Sequence, residues 1–246
     1  MDTEYNEEEK LQIRKKTYKQ LMYVGIFSII MFFGGLSSAY IVSRADGTWV
    51  KIFPPSVFYV SSITILLSSI TYILAVRFIS QEKYKLGSVL VGVTLILGIL
   101  FVGFQMQGWK YLNERGNHMG GYNNIRFLVE NNKATYGKDY VIVQKGKELA
   151  YHNNEFYDKR DVNFSQPILK VNLEASNNAS SYFFILTGMH ILHLFGGLIS
   201  LIIVFFKSIR KKYSKNDHVG IKVSAIYWHF LDFLWLYLLG LLYFVG

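Results

Sequence analysis

The chain has 246 residues, of which 51% are hydrophobic and 17% are aromatic, and it carries a formal net charge of +9 with three prolines. This composition is typical of an integral membrane protein and not of a soluble domain. Because the sequence contains no cysteine, disulfides, iron–sulfur clusters and thiolate metal sites are excluded in this chain, and any redox chemistry must use histidine ligands or lie in another subunit.

Residues 1–19 form a charged lead, acidic at Glu7, Glu8 and Glu9 and basic after them, which we interpret as a cytoplasmic segment. Five apolar stretches follow, each long enough to cross about 30 Å of hydrocarbon as a helix. The first begins too late and is too long to be a cleavable signal peptide, so we expect none. The predicted spans are 20–43, 52–76, 86–109, 175–206 and 223–246, the last interrupted only by Asp232.

Basic residues flank alternate ends of these spans, and the positive-inside rule converts that pattern into an orientation. The lead and the second and fourth connections between spans are rich in Lys and Arg, whereas the first connection holds only Arg44 and Lys51. We therefore predict a cytoplasmic N-terminus and a periplasmic C-terminus in the inner (plasma) membrane. The basic residues on the predicted cytoplasmic side are Lys10, Arg14, Lys15, Lys16, Lys19, Arg77, Lys83, Lys85, Lys207, Arg210, Lys211, Lys212 and Lys215.

The positive charge then reflects topology and contact with anionic lipids. We expect no nucleic-acid binding, because these residues lie beside helix ends and not along one groove studded with aromatic side chains.

A polar insertion, residues 110–178, separates the third and fourth spans and is predicted to be periplasmic. Its part 110–174 is nearly charge-balanced, with ten Lys or Arg against eight Asp or Glu, and is too long for a simple connection. Residues 140–143 and 148–151 read as two short strands around a tight turn at Lys145-Gly146, which predicts a small β-hairpin. We expect His118 and His152 in this insertion to be solvent-exposed. The predicted domains are 1–19, 20–109, 110–178 and 179–246.

The fourth span carries two histidines, His190 and His193, about one helical turn apart on one face. Neutral imidazoles in this arrangement are able to form half of a metal or haem site. They are equally able to act as helix-packing residues that hydrogen-bond to a neighbouring helix. The sequence leaves both interpretations open.

The fifth span carries Trp228, His229, Asp232 and Trp235, a polar and aromatic stripe on an otherwise lipid-like helix. A carboxylate in a membrane helix costs roughly 2.5–3.5 kcal/mol on insertion scales, so Asp232 is expected to face protein and to have a partner. Counting 1.5 Å per residue places Asp232, like the two histidines of the fourth span, near the membrane midplane. We therefore predict that Asp232 is buried and paired with His190, His193 or another residue of the fourth span.

These strings resemble the last two helices of the subunit III family of haem–copper cytochrome c oxidases. The shared pattern is Thr187-Gly188 followed by His190 and His193, a basic loop with His218 and Gly220, and then Tyr227 to Trp235. The third span is similar to the family at Leu97-Gly98, Phe101 and Gln105, and the first span at Phe32-Phe33 and Ala39-Tyr40. The chain is thus identified as a five-helix, bacterial-type member. In the longest family members two further helices precede the matching region, and these are absent here or supplied by another chain.

The resemblance implies an all-α integral membrane bundle of five transmembrane helices with an external insertion between spans three and four. It implies a subunit of a proton-pumping terminal oxidase in aerobic respiration, one that binds phospholipid and sustains proton uptake. It also implies that haem and copper lie in partner subunits and that this chain has no cofactor, metal or catalytic residue. The family often has a glutamate where Ile29 stands, so no proton-handling role is carried over to that position.

The implied partners are the catalytic oxidase subunit I, subunit II, membrane lipids, and a small subunit or further respiratory complex docked on residues 110–178. We predict a structural polar seam within the bundle, formed by Gln105, His190, His193, Trp228, His229, Asp232 and Trp235.

Three alternatives stay open. The electron donor of the complex is cytochrome c or, in a second form, a quinol. A stand-alone membrane metalloenzyme with His and Asp ligands is a function of another class. A transporter would show inverted repeats and broken helices, and the five stretches show neither.

Overall fold

The computed structural model describes residues 7–45, 47–120, 124–161, 163–168, 171–213 and 218–246. Lys215, one of the basic residues used for the topology, lies outside these ranges. Six helices and four strands are found within the described residues. In chain order they are α1 Glu7–Arg44, β1 Thr48–Ile52, α2 Val57–Ser80, α3 Tyr84–Glu114, α4 Ile125–Val129, β2 Tyr140–Gln144, β3 Lys147–His152, β4 Glu155–Asp158, α5 Asn178–Ile209 and α6 Val219–Phe244.

Five of the helices, α1, α2, α3, α5 and α6, are long and apolar enough to cross a membrane. This confirms the five predicted spans, and the chain is a multi-pass membrane protein. The helices extend beyond the apolar stretches, because charged and polar residues at their ends continue the same helix. The described part of the basic lead is itself helical and forms the first turns of α1.

The second span begins later than predicted. Residue Ile52 belongs to β1, and α2 starts only at Val57. The reason is the pair Pro54-Pro55 between them, since the pyrrolidine ring removes a backbone donor and biases the preceding residue toward extended conformations. The helix begins immediately after this pair, with the amide of Phe58 donating to the carbonyl of Pro55 at 3.0 Å.

The strands form one antiparallel sheet in the order β1-β2-β3-β4. The predicted hairpin is confirmed: β2 and β3 flank Lys145-Gly146, whose φ angles of 51° and 75° fit a two-residue turn of type I′. A second turn of this kind at Asn153-Asn154 adds β4, with φ angles of 50° and 65°. The fourth strand, β1, comes from the connection between the first two spans and pairs with β2 from Thr48↔Gln144 to Ile52↔Tyr140.

The sheet is connected to the C-terminal end of α3 by a carboxylate, Asp139, which precedes β2. Its Oδ1 accepts a hydrogen bond from Tyr111 Oη at 2.9 Å and lies 3.2 Å from Arg115 Nε. On the sheet, Glu148 of β3 lies 2.7 Å from Lys159 Nζ and 3.4 Å from Lys51 Nζ of β1. The hydrogen bond from Lys159, helped by Lys51, lowers the pKa of the Glu148 carboxyl.

The chain divides into two compact units. The first contains the described residues of 1–33 together with 61–103 and 190–235, and its core is built from large aromatic side chains such as Tyr72, Phe101, Trp228 and Trp235. The second contains the described residues of 34–60, 104–189 and 236–246 and includes the sheet. In its core Phe58 stacks on Phe183, with ring centroids 5.8 Å apart.

Candidate functional site

The two tryptophans of the predicted seam are buried in the first unit, and their indole groups bind hydroxyl groups of α2. Trp228 Nε1 donates to Ser68 Oγ at 2.9 Å, and Trp235 Nε1 donates to Ser62 Oγ at 3.0 Å. Both side chains are at most 1% exposed. A buried indole N–H without an acceptor would be costly in hydrocarbon, so these bonds fix the register of α6 against α2.

His229 extends the same contact between α6 and α2. Its Nδ1 lies 2.6 Å from Ser69 Oγ, and its ring lies 6.1 Å from the ring of Tyr72. Ser68 uses its own proton toward the carbonyl of Ile65 at 2.7 Å, which leaves its oxygen free to accept from the indole of Trp228. The stripe on α6 is therefore met by a polar stripe on α2.

These serines were not predicted from the sequence, although a signal for them exists. Residues 61–64 read Ser-Ser-Ile-Thr, and the same four letters recur at 68–71, seven residues later. Trp228 and Trp235 are also seven residues apart. The two accepting serines, Ser62 and Ser68, are six residues apart and come from successive copies of this repeat, so the repeat supplies one hydroxyl for each tryptophan.

The two histidines of α5 face different neighbours. His190 is fully buried, with its ring 6.1 Å from the ring of Phe101 on α3 and 5.5 Å from that of Trp235 on α6. Neither of its ring nitrogens has a hydrogen-bond partner among the described residues. His193 is turned toward α1, where its ring lies 5.7 Å from Phe33. The described residues contain no group of three or more His, Cys, Asp or Glu that could hold a metal ion.

Asp232 is buried, with 3% of its surface exposed, as predicted. The predicted pairing with the fourth span is wrong: within the described ranges neither Oδ1 nor Oδ2 makes a hydrogen bond of good geometry, and the side chain that interacts with the carboxyl is Ser69 of α2. The aromatic contacts of the two histidines give the reason. His190 is enclosed by rings of α3 and α6, and His193 is turned toward α1.

Gln105, the seventh residue of the predicted seam, is fully buried but belongs to the second unit. The other six residues, His190, His193, Trp228, His229, Asp232 and Trp235, all belong to the first unit. The structure thus brings six of the seven predicted residues into one compact unit.

Two glycines of the neighbouring helices α3 and α5 lie close to the seam. A Cβ atom added at Gly98 of α3 would lie 2.7 Å from Cη2 of Trp228 and 3.0 Å from Cδ2 of Leu198. A Cβ atom added at Gly197 of α5 would lie 3.2 Å from Cε3 of the same tryptophan. Both glycines therefore make room for the indole of Trp228.

A second feature of the first unit is an open cleft of about 440 Å³ between α1, α5 and α6. Its polar groups are few, and Tyr227 Oη among them donates to the backbone carbonyl of His193 at 3.1 Å. Along α1 the lining extends over about 16 Å, which is close to the thickness of one leaflet of hydrocarbon. The lining residues are Tyr18, Leu21, Met22, Gly25, Ile26, Ile29, Ser200, Gly220, Val223, Ser224 and Tyr227.

A basic pocket of about 280 Å³ adjoins the cleft, with which it shares Tyr18 and Gly220. Three cationic side chains line it, Arg14 from α1 and Lys207 and Lys212 from the C-terminal end of α5 and the residues after it. An apolar groove that ends in a cluster of cations has the chemistry needed to hold a lipid chain and its anionic headgroup.

Comparison with known proteins concerns the C-terminal part of the chain. Residues 172–246 match the family model of cytochrome c oxidase subunit III. Cytochrome c oxidase subunit 3 of Bos mutus grunniens, of Syncerus caffer and of Pelea capreolus is in each case 41% identical over 66 residues, 27% of this chain. The chain thus spans about a quarter of the length of these curated relatives, 25% in each case.

Proposed function

Since residues 172–246 match the family model of cytochrome c oxidase subunit III, we propose that this chain is the third core subunit of a haem–copper terminal oxidase. One observation carries the proposal beyond the matched segment. The buried tryptophans of α6, inside that segment, donate their hydrogen bonds to Ser62 and Ser68 of α2, outside it. The second span, α2, is thus hydrogen-bonded to a helix of the segment that matches the family.

The proposed role is to support subunits I and II during O2 reduction, with haem and copper held by those partners. The chain itself then needs no catalytic residue and no redox centre. Affinity purification through a tag on this chain from native membranes should recover haem, seen as a reduced-minus-oxidised difference spectrum, and the oxidase subunits by mass spectrometry. Recovery of this chain without haem and without other oxidase subunits would contradict the proposal.

Metal content separates this role from that of a stand-alone metalloenzyme. We expect the isolated chain to hold no stoichiometric iron, copper or zinc. Elemental analysis that finds about one metal ion per purified chain would favour the metalloenzyme instead. With the intact complex, oxygen consumption with reduced cytochrome c and with a quinol as alternative donors identifies the donor, for which we propose cytochrome c.

The second part of the proposed function is phospholipid binding at the cleft between α1, α5 and α6. An acyl chain lies along the apolar lining, and the phosphate is bound by Arg14, Lys207 and Lys212 in the basic pocket. Subunit III then sustains proton uptake and turnover by keeping this lipid against the bundle.

Lys212→Gln tests the lipid site, and Lys211→Gln is the matched control, because Lys211 is the exposed neighbour that does not line either cavity. Phospholipid that copurifies with the complex is measured by mass spectrometry, and activity is followed over many turnovers. We expect Lys212→Gln to lose about one bound anionic lipid per chain and to inactivate sooner. Equal lipid content in the two variants would contradict the proposal that the basic pocket binds the lipid phosphate.

The proposed orientation places the N-terminus in the cytoplasm and the C-terminus and residues 110–178 in the periplasm of a cell with an inner membrane. Because the chain is free of cysteine, single-cysteine variants report it directly. Lys145→Cys, in the turn of the sheet, should react with a membrane-impermeant maleimide in spheroplasts. Lys211→Cys should react only in inverted vesicles, and the reverse result would invert the topology.

We further propose that the part of residues 110–178 that forms strands β2, β3 and β4 contacts another oxidase subunit or a respiratory partner. Exposed lysines on it, among them Lys145, Lys147 and Lys159, allow a direct test. Chemical cross-linking of the native complex followed by mass spectrometry should join at least one of them to another chain. Cross-links confined to this chain would contradict a docking role.

A further inference from the structure

A small apolar patch lies beside the outer ends of α3 and α5, and the lengths of these helices indicate its position relative to the membrane. Helices of 31 and 32 residues are about 46 and 48 Å long, slightly more than the 40–45 Å of a bilayer with its headgroups. The outer helix ends, Glu114 of α3 and Asn178 of α5, therefore lie near the level of the lipid headgroups.

Side chains and backbone groups fasten the chain after α3 to both of these ends. Ser180 Oγ of α5 donates to the carbonyl of His118 at 3.0 Å, and Asn177 Nδ2 donates to Asn117 Oδ1 at 3.3 Å. On the other side Asn131 Nδ2, which follows α4, donates to the carbonyl of Glu114 at 3.2 Å. The described residues between these anchors, 118–120 and 124–131, are thus held at the level of the helix ends.

The short helix α4 has one buried and one exposed side. Ile125 and Leu128 are fully buried, whereas Phe127 is 47% exposed. The ring of Phe127 lies 5.4 Å from the ring of His118, whose neighbour Met119 is 67% exposed. We name His118, Met119 and Phe127 the outer patch. Large apolar side chains next to a half-polar imidazole are the composition expected of a membrane–water interface.

We propose that the outer patch is a membrane-contacting element, in which Met119 and Phe127 enter the headgroup region of the outer leaflet. The occupant of this surface is the bilayer and not a protein, because hydrogen bonds hold the patch at the level of the helix ends and the two helices, α3 and α5, carry exposed apolar side chains. Met106 of α3 and Ile185 of α5 are 41% and 39% exposed in the outer parts of their helices. The inference rests on the membrane placement of the five helices and is independent of the oxidase function.

Contact with the interface has a definite consequence for the insertion. Apolar side chains are stabilised in proportion to the surface that they remove from water, so the patch favours one position of the external residues relative to the membrane. The aromatic side chain Phe164 near β4 provides the contrast. It is 37% exposed, but its ring stacks on His152 at 4.5 Å, and we expect this site to face water.

Spin labels on single cysteines test the proposal in the full-length chain, which offers a cysteine-free background. The labelled variants Met119→Cys and Phe127→Cys are reconstituted in nanodiscs of phosphatidylethanolamine and phosphatidylglycerol. Ile185→Cys is the lipid-facing reference, and Phe164→Cys is the aqueous reference. Circular dichroism of each variant verifies that the helical content is retained. Power saturation then compares collisions with O2, which concentrates in lipid, and with a water-soluble nickel chelate.

We expect the ratio of O2 to nickel accessibility at Met119→Cys and Phe127→Cys to be severalfold above that of Phe164→Cys and below that of Ile185→Cys. A ratio equal to the aqueous reference at both positions would overturn the proposal. A label that neither reagent reaches would also overturn it, because such a site is covered by protein. Using two positions keeps the test decisive if one of the variants fails to fold.

Discussion

The indole of Trp228 and the hydroxyl of Ser68 form the most sharply testable contact of the seam. Ser68→Ala removes the acceptor and leaves a buried N–H group without compensation. We expect a loss of about 1 kcal/mol in the stability of the purified chain, within the range of polar contacts in membrane proteins. Ser28→Ala is the matched control, because the exposed Ser28 Oγ donates to the carbonyl of Val24 in its own helix.

Thermal or SDS-induced unfolding in detergent measures both serine variants. The control should remain close to the parent chain, since its hydroxyl joins no second helix. An equal loss in Ser28→Ala and Ser68→Ala would mean that the bond between α2 and α6 contributes nothing specific.

For Asp232 we expect the opposite effect on stability from that of Ser68→Ala. A buried carboxyl without a hydrogen-bond partner among the described residues lowers stability, and an apolar side chain of similar size removes that cost. We expect Asp232→Leu to leave the stability of the isolated chain unchanged or raised. By contrast, Ser69→Ala removes a hydroxyl that contacts His229 and also interacts with Asp232, so this variant should lower the stability. A loss of more than about 1 kcal/mol in Asp232→Leu would reveal a stabilising partner for the carboxyl.

At the scale of elements, the approach of α3 to Trp228 depends on a glycine. Gly98→Ala places a methyl group 2.7 Å from the indole, and overpacking of this kind costs about 1–3 kcal/mol. Gly103→Ala is the control on the same helix, because nothing lies within 4 Å of its added Cβ. There the better helix propensity of alanine should add stability, by up to about 1 kcal/mol.

Unfolding of the two alanine variants in the same detergent decides this prediction. Gly98→Ala should unfold earlier than the parent chain and Gly103→Ala should not. If both variants gain stability, the indole of Trp228 has room to move and α3 does not define its position.

The spans and the hairpin could be predicted because their signals are local. A hydrocarbon layer requires some twenty consecutive apolar residues, and this requirement is visible in one stretch of sequence. The hairpin was visible because two strand-like runs flank Lys145-Gly146, which tolerates positive φ. The strand β1 carried no such signal, since Thr48–Ile52 is short and its partner β2 lies about ninety residues further along the chain.

The residues of the seam were predicted from the sequence, but the residues to which they hydrogen-bond were not. Burial of Trp228, Asp232 and Trp235 follows from their chemistry alone, because polar groups avoid lipid. Their neighbours depend on which helices are adjacent, and depth along the membrane normal does not fix this. Depth alone favoured α5 as the partner of the stripe, whereas the serines of α2 accept the indole bonds.

At the scale of the whole molecule, the sheet joins two connections that are far apart in sequence. Strand β1 lies between the first two spans, and its neighbour β2 lies in the insertion between the third and the fourth. Trp49, Val50 and Ile52 of β1 are all buried. The insertion is therefore a structural partner of the first connection as well as a proposed docking surface.

The pairing of β1 with β2 determines what we expect when the insertion is removed. Replacing residues 117–174 with a short Gly/Ser linker should leave the five spans helical, because each forms its own backbone hydrogen bonds. It also deprives β1 of its neighbour β2 and exposes the apolar side chains of Trp49, Val50 and Ile52. An unpaired apolar strand is a site of edge-to-edge association, so we expect the shortened protein to aggregate in detergent.

A second shortened variant separates this effect from general misfolding. It carries the same linker together with Trp49→Ser, Val50→Thr and Ile52→Ser, which make the orphaned strand polar. Size-exclusion chromatography should give aggregates for the first variant and a monodisperse peak for the second, with equal helical content by circular dichroism. Monodisperse behaviour of the first variant would show that β1 does not need β2, and aggregation of both would show that the insertion stabilises the spans themselves.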